Sequence, residues 1–210
     1  MSSVKPRRRD ISAALTRTAV LDAARDLFVT KGFEATSIDE IARASESSNG
    51  AVYHHFRDKQ EIFAEVFRSA QAAVLQAAVA SMPADTTAWQ RVEVATRAFL
   101  RGYVDDDVAR MLLRQAVGVL GWDRVREMDE EMSLPLIRAT LTDAIQTGEA
   151  VPVPVATAAD VLFSLFCNSV LIIAAGSDPD QTAEDVEAVL FTLLSGMRSA
   201  PEDAGSTHRD

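Results

Sequence analysis

The chain has 210 residues, of which 48% are hydrophobic and 25% are charged. This composition is typical of one globular domain or two small ones, and it excludes a wholly disordered chain. The formal net charge is −10, but residues 1–68 hold 11 basic and 10 acidic residues and so carry +1. The acidic excess lies in the rest of the chain, and the first third can still face a polyanion.

Cysteine and histidine are too few for several kinds of site. A single cysteine, Cys167, excludes an intramolecular disulfide and a cysteine-based zinc site, and only three histidines are present. We therefore expect no metal and no cofactor. The first ten residues are basic but are not followed by an apolar segment, so they do not form a secretory signal. The most apolar stretch, 161–175, is shorter than the ~20 residues of a membrane span. It predicts a buried helix in a cytoplasmic protein that does not bind membranes.

Hydrophobic spacing and capping residues predict an all-α fold of about nine helices. Glu40 lies three residues after Ser37, which is the spacing of a capping box, and Ser48 and Asp58 are further candidate N-caps. The Val-Pro-Val-Pro-Val run at 151–155 is predicted to be a linker, because proline cannot donate to a β-ladder. The predicted helices are 12–31, a short helix after Thr36 or Ser37, 49–55, 59–81, 87–104, 106–119, 122–131, 134–147, 156–175 and 181–198.

Two short helices between longer ones indicate a helix-turn-helix. Its apolar positions, Ile38, Ile41, Ala42, Val52 and Phe56, are spaced to close a small core. The other positions of the second short helix then face outward. Their side chains suit phosphate contacts and base reading, and a glycine inside a helix favours close approach to a partner. The outward positions are Asn49, Gly50, Ala51, Tyr53, His54 and His55.

The same segment resembles the TetR/AcrR family of transcriptional regulators over about residues 17–66. One departure is Glu46-Ser47, where the family more often has Gly-Val. The resemblance implies a DNA-binding head at 9–57, an effector and dimerisation domain at 58–200, and disordered tails at 1–8 and 201–210. It is carried by Ala23-Ala24, Leu27-Phe28, Gly32-Phe33, Thr36-Ser37, Ile41-Ala42, Ser48, Gly50-Ala51, Tyr53-His54-His55-Phe56 and Lys59. The family's DNA-contact positions correspond to Ser37, Ser48, Asn49, Gly50, Ala51, Tyr53, His54, His55 and Lys59.

Three further features have both a functional and a purely structural interpretation. Arg7-Arg8-Arg9 is either a solvated tail or an arm that contacts DNA. Large side chains in the effector domain either form core or line a ligand cavity; the predicted cavity residues are Phe67, Phe99, Tyr103, Met111, Arg114, Trp122, Phe166 and Asn168, with Arg110 and Met128 as further candidates. Apolar positions on the last two helices form core or, as the family resemblance implies, a dimer interface; these are Leu162, Phe166, Val186, Val189, Leu190, Leu193, Leu194 and Met197.

The resemblance implies a homodimeric, ligand-responsive repressor that binds a palindromic operator and is released by a small-molecule inducer. The acidic effector domain favours an apolar ligand that is neutral or cationic. An alternative is a DNA-bound adaptor whose C-terminal domain docks another protein. An exposed apolar patch outside the dimer interface would favour the adaptor, and an internal cavity would favour the ligand-responsive regulator. An enzyme is not expected, because we find no Ser-His-acid set, glycine-rich phosphate loop or metal-ligand spacing.

Overall fold

The computed structural model describes residues 8–199 of the chain, with side chains from residue 11. In that range the protein is all-α, as predicted, apart from a single β-bridge between Ala150 and Arg198. Both tails lie outside the described residues except for Arg8, where the first helix begins, and so do the side chains of the arginine arm. The helices are α1 (Arg8–Lys31), α2 (Ile38–Ala44), α3 (Asn49–His55), α4 (Lys59–Ala80), α5 (Ala88–Asp105), α6 (Asp107–Leu120), α7 (Trp122–Gln146), α8 (Val155–Ala175) and α9 (Pro179–Ser195).

Local sequence signals place most helix ends. Ser37 and Glu40 form the predicted capping box at the start of α2, while Ser48 and Asp58 cap α3 and α4. The prediction of separate helices at 122–131 and 134–147 is wrong, because α7 is continuous through Pro135. Proline removes one intrahelical hydrogen bond, and its exposed position lets water hydrate the carbonyl that loses its partner.

The first three helices form a head around a small aromatic and aliphatic core. Val20, Phe28, Ile41, Val52 and Phe56 are all buried there. These are the apolar positions that the helical spacing of α1 to α3 turns inward. Packing them together sets the angle of α3, so the opposite side of α3 faces solvent.

The helix α4 begins in the head and continues into the second part of the molecule. Near its start the ammonium of Lys59 donates to the carbonyl oxygens of Phe33, at 2.7 Å, and Thr36, at 2.8 Å. Almost two turns further along α4, Glu65 pairs with Arg17 of α1 at 3.0 Å. One continuous hydrophobic core runs from the head into the rest of the molecule. A displacement of α4 therefore carries the head with it.

The helices α5, α6 and α7 pack against α4. Its closest approach to α5 depends on Gly102, since a Cβ there would lie 2.6 Å from Cγ1 of Val74. Val155–Ala175 is long and apolar enough to cross a membrane by length and composition. In the structure this helix, α8, packs against α5, α6, α7 and α9, and Leu162, Phe163 and Ile173 are buried between them.

Candidate DNA-binding surface and internal cavity

The helix α3 presents one polar face to solvent. The hydroxyl oxygen of Ser48 accepts a hydrogen bond from the backbone N–H of Ala51 at 3.1 Å, which caps the helix. Val52 and the cap residue Phe56 point into the head core. The exposed side is formed by Ser48, Asn49, Gly50, Tyr53 and His54, whereas Ala51 and His55 are half-buried. The predicted surface therefore lies on one side of a single short helix.

Gly50 is not required by the packing of the head. A Cβ built at this position would meet only the hydroxyl of Ser48, at 3.9 Å, which is an ordinary contact. A glycine that costs ~1 kcal/mol of helix stability relative to alanine thus stands where the fold has room for a side chain. This favours the interpretation that an external partner approaches the backbone of α3.

The polar groups around α3 are already hydrogen-bonded within the head. The Asn49 amide donates to the carboxylate of Asp39 on α2. The Ser37 hydroxyl donates to the Glu40 carboxylate at 3.1 Å and accepts from its backbone N–H at 3.2 Å. The ammonium of Lys31 and the Ser37 hydrogen bonds lower the pKa of Glu40 to about 2, so this carboxylate is ionised near neutral pH. Ser37 and Asn49 are thus held in place before any DNA is bound.

The family resemblance makes Lys59 a DNA-contact position, but its ammonium group is hydrogen-bonded within the head. Two of its three N–H groups donate to backbone carbonyls, and the ammonium sits 4.1 Å from the ring centroid of Phe33. Its structural role is therefore to join the start of α4 to the loop that precedes α2. The more exposed cation beside it is Arg57, whose side chain is 84% exposed and pairs with Glu61 at 3.3 Å. The sequence argument did not single out Arg57.

The turn between α2 and α3 contains the departure from the family pattern. Glu46 has φ of +52°, a left-handed conformation that favours glycine. The residue type that the family more often uses here would adopt it without strain. The turn nevertheless forms, with Ser47 N–H donating to Ala42 at 2.8 Å. The glutamate stores a small strain and adds an exposed carboxylate beside the candidate DNA surface.

A cavity of about 120 Å³ lies between α4, α5, α7 and α8. The lining is mostly apolar, which is typical of small-molecule sites. It includes four of the predicted cavity residues, Phe99, Tyr103, Trp122 and Phe166. Trp122 is 40% exposed and lies where the cavity reaches the surface.

The other predicted cavity residues lie elsewhere among the described residues. Phe67 and Met128 are buried in the core that is continuous with the head. Met111, Arg114 and Asn168 are exposed on the outside of their helices. Arg110 donates to the carbonyl oxygens of Tyr103 and Val104 at the end of α5. Residue type alone could not separate these positions, because the cavity occupies only one face of each helix.

The cavity contains polar residues that the sequence argument missed. Asp129 begins the acidic run 129–131, but its side chain points inward and accepts a hydrogen bond from Gln71 of α4. Cys167 of α8 donates to the other carboxylate oxygen at 3.7 Å. Burial raises the pKa of Asp129 to about 6, against the lowering effect of these two donors. The sequence signal that could have identified them is helical spacing. Gln71 follows the buried Phe67 by four residues and Asp129 follows the buried Val125 by four, so each lies on the inward face of its helix.

The predicted dimer residues separate into two groups. Leu162, Leu190 and Leu194 are buried within the chain's own core, and Phe166, Val186 and Met197 are half-buried against it. These six side chains thus pack within one chain, and their part in a dimer interface stays a prediction. Val189 and Leu193 are 61% and 55% exposed, and they are joined on α8 by Val161 and Ile172, which the prediction did not include. On α9 the exposed residues Val189 and Leu193 each come one position before a buried leucine, Leu190 or Leu194.

A head with a capped helix-turn-helix, joined by one helix to a helical bundle, is an arrangement typical of DNA-binding transcriptional regulators. Residues 20–66 match the family model for bacterial regulatory proteins of the tetR family, and residues 89–197 match the tetracyclin repressor-like C-terminal domain. The chain therefore belongs to the TetR family, and it is a transcriptional regulator with a DNA-binding helix-turn-helix.

Individual relatives agree with this assignment. The chain is 25% identical to the transposon Tn10 TetC protein of Escherichia coli over 134 residues, 64% of this chain and 68% of that protein. It is 44% identical to the HTH-type transcriptional regulator AcrR of Shigella flexneri over 52 residues, but the match spans only 24% of AcrR. The structure of a TetR-family regulator from Pectobacterium atrosepticum has a TM-score of 0.76 and 26% identity, covering 94% of this chain and 100% of that one.

Proposed function

We propose that this protein is a ligand-responsive repressor that binds a palindromic operator as a homodimer and is released by a small-molecule inducer. The observation that carries the proposal is the cavity, because α4 lines it and also begins in the head. The cavity favours a ligand-responsive regulator over the adaptor alternative. The proposal includes the division into a head at 9–57 and an effector domain at 58–200, and a cytoplasmic location, where the operator lies. No catalytic role is part of it.

The proposed DNA contact is made by the exposed face of α3. Tyr53 and Ser48 supply hydroxyl donors for phosphates, and the N-terminus of α3 adds backbone N–H groups. Asn49 and His54 are placed to reach base edges, while Gly50 and Ala51 allow the backbone to approach. Ser37, His55 and Lys59 support the surface from its margin. Because Lys59 is engaged with two carbonyls, its contribution is to position the head on α4.

The proposed dimer interface is the outward apolar stripe of α8 and α9. Four large apolar side chains lie there in solvent, although a single chain gains nothing from exposing them. Burying them against the same stripe of a second copy gives an isologous two-fold contact. Such a dimer presents two α3 helices, which corresponds to an operator with two half-sites about 34–36 Å apart. The stripe consists of Val161, Ile172, Val189 and Leu193.

The proposed coupling between ligand and DNA runs through α4 and α6. Gln115 of α6 accepts from the backbone N–H of Phe33 at 2.7 Å and donates to the carbonyl oxygen of Phe28 at 3.1 Å. Gln60 of α4 donates to the carbonyl oxygen of Val119 of α6 at 3.0 Å. A ligand that prefers a different spacing of α4 shifts the head through these contacts. About 1–3 kcal/mol of coupling is enough to change operator occupancy.

Fluorescence anisotropy with the DNA upstream of the protein's own gene tests this function. We expect saturable binding that depends on a palindrome, survives competitor DNA and weakens steeply with salt, because several phosphate contacts release counterions. The variant Leu193→Asp should remain folded but lose the dimer and operator binding, whereas Thr192→Asp, at an adjacent exposed position, is its matched control. Weak binding that is the same for all DNA sequences would contradict the proposal.

A further inference from the structure

Four polar side chains meet inside the otherwise apolar cavity, each from a different helix. Gln71 comes from α4, Tyr103 from α5, Asp129 from α7 and Cys167 from α8, and all four line the cavity. Asp129 is the centre of the cluster, since Gln71 and Cys167 donate to its two carboxylate oxygens. The cluster therefore ties together the helices that enclose the space.

The hydrogen bonding of this cluster is incomplete. Gln71 is 5% exposed, yet its Oε1 atom has no hydrogen-bond partner within the described part of the chain. A buried acceptor without a donor is unfavourable, because it has lost its hydrogen bond to water and gained none in return. Among residues 11–199, no Lys, Arg or His side chain forms an ion pair with Asp129. The nearby arginines are committed elsewhere: Arg126 pairs with Glu130 at 2.6 Å, and Arg68 pairs with Glu131 at 3.7 Å.

A cation that donates hydrogen bonds would complete both the charge balance and the hydrogen bonding of this cluster. A half-buried carboxylate and a buried amide oxygen are both acceptors, and they lie in the same space as aromatic and aliphatic side chains. An anionic ligand would be repelled by Asp129. A ligand without a donor would leave Oε1 of Gln71 unpaired, and a neutral ligand would leave Asp129 without a counter-charge. A protonated amine satisfies the carboxylate and Oε1 of Gln71 together.

We propose that the inducer is a lipophilic amine whose ammonium group binds Asp129 and Gln71 while its apolar body lies against Phe99, Trp122 and Phe166. This inference rests on the proposed function, because it requires that the cavity holds the ligand. It goes further by assigning the chemical class of the ligand and the residues that select it. Because Gln71 is on α4, the polar end of the ligand contacts the helix that positions the head.

The direct experiment compares three ligands of equal chain length: decylamine, decanol and decanoate. Both tryptophans of the chain, Trp89 and Trp122, line the cavity, so intrinsic fluorescence reports binding without an added dye. At pH 7.5 we expect decylamine to bind the dimer at least about tenfold more tightly than decanol. Its ammonium donates charge-assisted hydrogen bonds to the carboxylate and the amide oxygen, whereas the hydroxyl of decanol supplies one neutral donor. Decanoate should bind most weakly of the three.

The variant Asp129→Asn should abolish the preference for decylamine while decanol still binds. Decanol binding also shows that the variant is folded with its cavity intact. Asp123→Asn is the matched control, since Asp123 is an exposed aspartate in the first turn of the same helix. It should keep the full preference for the amine.

A pH series on the unaltered protein is a second measurement that needs no variant. Decylamine affinity should fall as the pH is lowered from 7.5 to 5, with a midpoint near 6, because protonation removes the charge of Asp129; decanol affinity should stay constant. Of the groups that face Asp129, Gln71 does not titrate, and burial raises the pKa of Tyr103 and of Cys167, so both stay neutral. The hydrogen bond to Glu130 raises the pKa of Arg126, so this guanidinium stays charged. The alkylammonium stays protonated, as lysine does.

The outcomes separate this inference from the proposed function. If decanol binds and decylamine binds no more tightly, or if Asp129→Asn keeps the amine preference, the amine assignment is overturned while the ligand cavity remains. If none of the three ligands changes the fluorescence and none alters operator binding, both the cavity's proposed role and the amine assignment fail.

Discussion

The head and the cavity differ in how completely their polar groups are paired. In the head, Ser37, Ser48 and Lys59 are each hydrogen-bonded within the chain. In the cavity, the half-buried Asp129 forms no ion pair among the described residues, and the buried Gln71 has an unpaired oxygen. A surface that must read DNA benefits from rigid, satisfied supports, whereas a site that must respond to a ligand gains binding energy from groups that are unsatisfied when it is empty.

The largest expected change in the free energy of unfolding comes from removing the Lys59 ammonium, which joins α4 to the head. Lys59→Met deletes the two hydrogen bonds to Phe33 and Thr36, and we expect a loss of about 2–3 kcal/mol in the free energy of unfolding. Urea denaturation measures it. Arg57→Met, at the exposed neighbouring cation, should cost less than about 0.5 kcal/mol.

The salt dependence of operator binding distinguishes the two roles of Lys59. If Lys59 acts by positioning, Lys59→Met weakens binding but leaves the slope of log K against log salt unchanged. A slope that falls by about one would identify a phosphate contact instead and would contradict the structural role.

The second prediction concerns the stability of a variant that removes the negative charge of Asp129 from the cavity. Because the pKa of Asp129 is raised to about 6, the folded state binds this proton more tightly than the unfolded state. The carboxylate therefore destabilises the fold above pH 6, and this penalty disappears as the pH falls through 6 towards 4. Asp129→Asn should stabilise the empty protein by roughly 2 kcal/mol at pH 7.5, with a smaller gain at pH 5. Thermal unfolding at both pH values tests this; an equal gain at the two values would contradict it.

The third prediction separates DNA contact from folding in the head. Gly50→Ala adds a methyl group where the chain itself leaves room, so the stability of the head should be unchanged or higher by up to about 1 kcal/mol. Operator affinity should fall about tenfold, because the Cβ intrudes on the proposed DNA contact. Anisotropy measures the affinity. Gly118→Ala, at a helical glycine where an added Cβ would have nothing within 4 Å, should bind operator normally.

The smallest expected effect lies in the turn between α2 and α3. Glu46→Gly relieves a left-handed conformation and should stabilise the protein by about 0.5–1 kcal/mol. It also removes a carboxylate beside the proposed DNA surface, so operator affinity should rise slightly. Glu34→Gly is the control, since Glu34 is exposed and is not among the residues with positive φ. That variant should be slightly destabilised; a matching gain would show that the Glu46 turn is not strained.

The helices of the head could be predicted from the sequence, because they depend on interactions between residues that are close together in the chain. Capping by Ser37, Ser48 and Asp58 depends on residues three positions away in the chain, and the spacing of Val52 and Phe56 identifies the inward face of α3. Such contacts are short in sequence, so their signals are present in the amino-acid order itself.

The cavity and the dimer stripe depend on contacts between distant segments. Gln71 and Asp129 are 58 positions apart, and the carbonyls that hold Lys59 lie 26 and 23 positions away. Helical periodicity identifies the apolar stripe of α9 but not whether Leu190 or Val189 faces the chain's own core. That choice follows from how α9 packs against α5 and α8. Amino-acid order thus determined the helices, their caps and the family, whereas the packing of distant helices decided which polar groups are enclosed and which apolar groups remain outside.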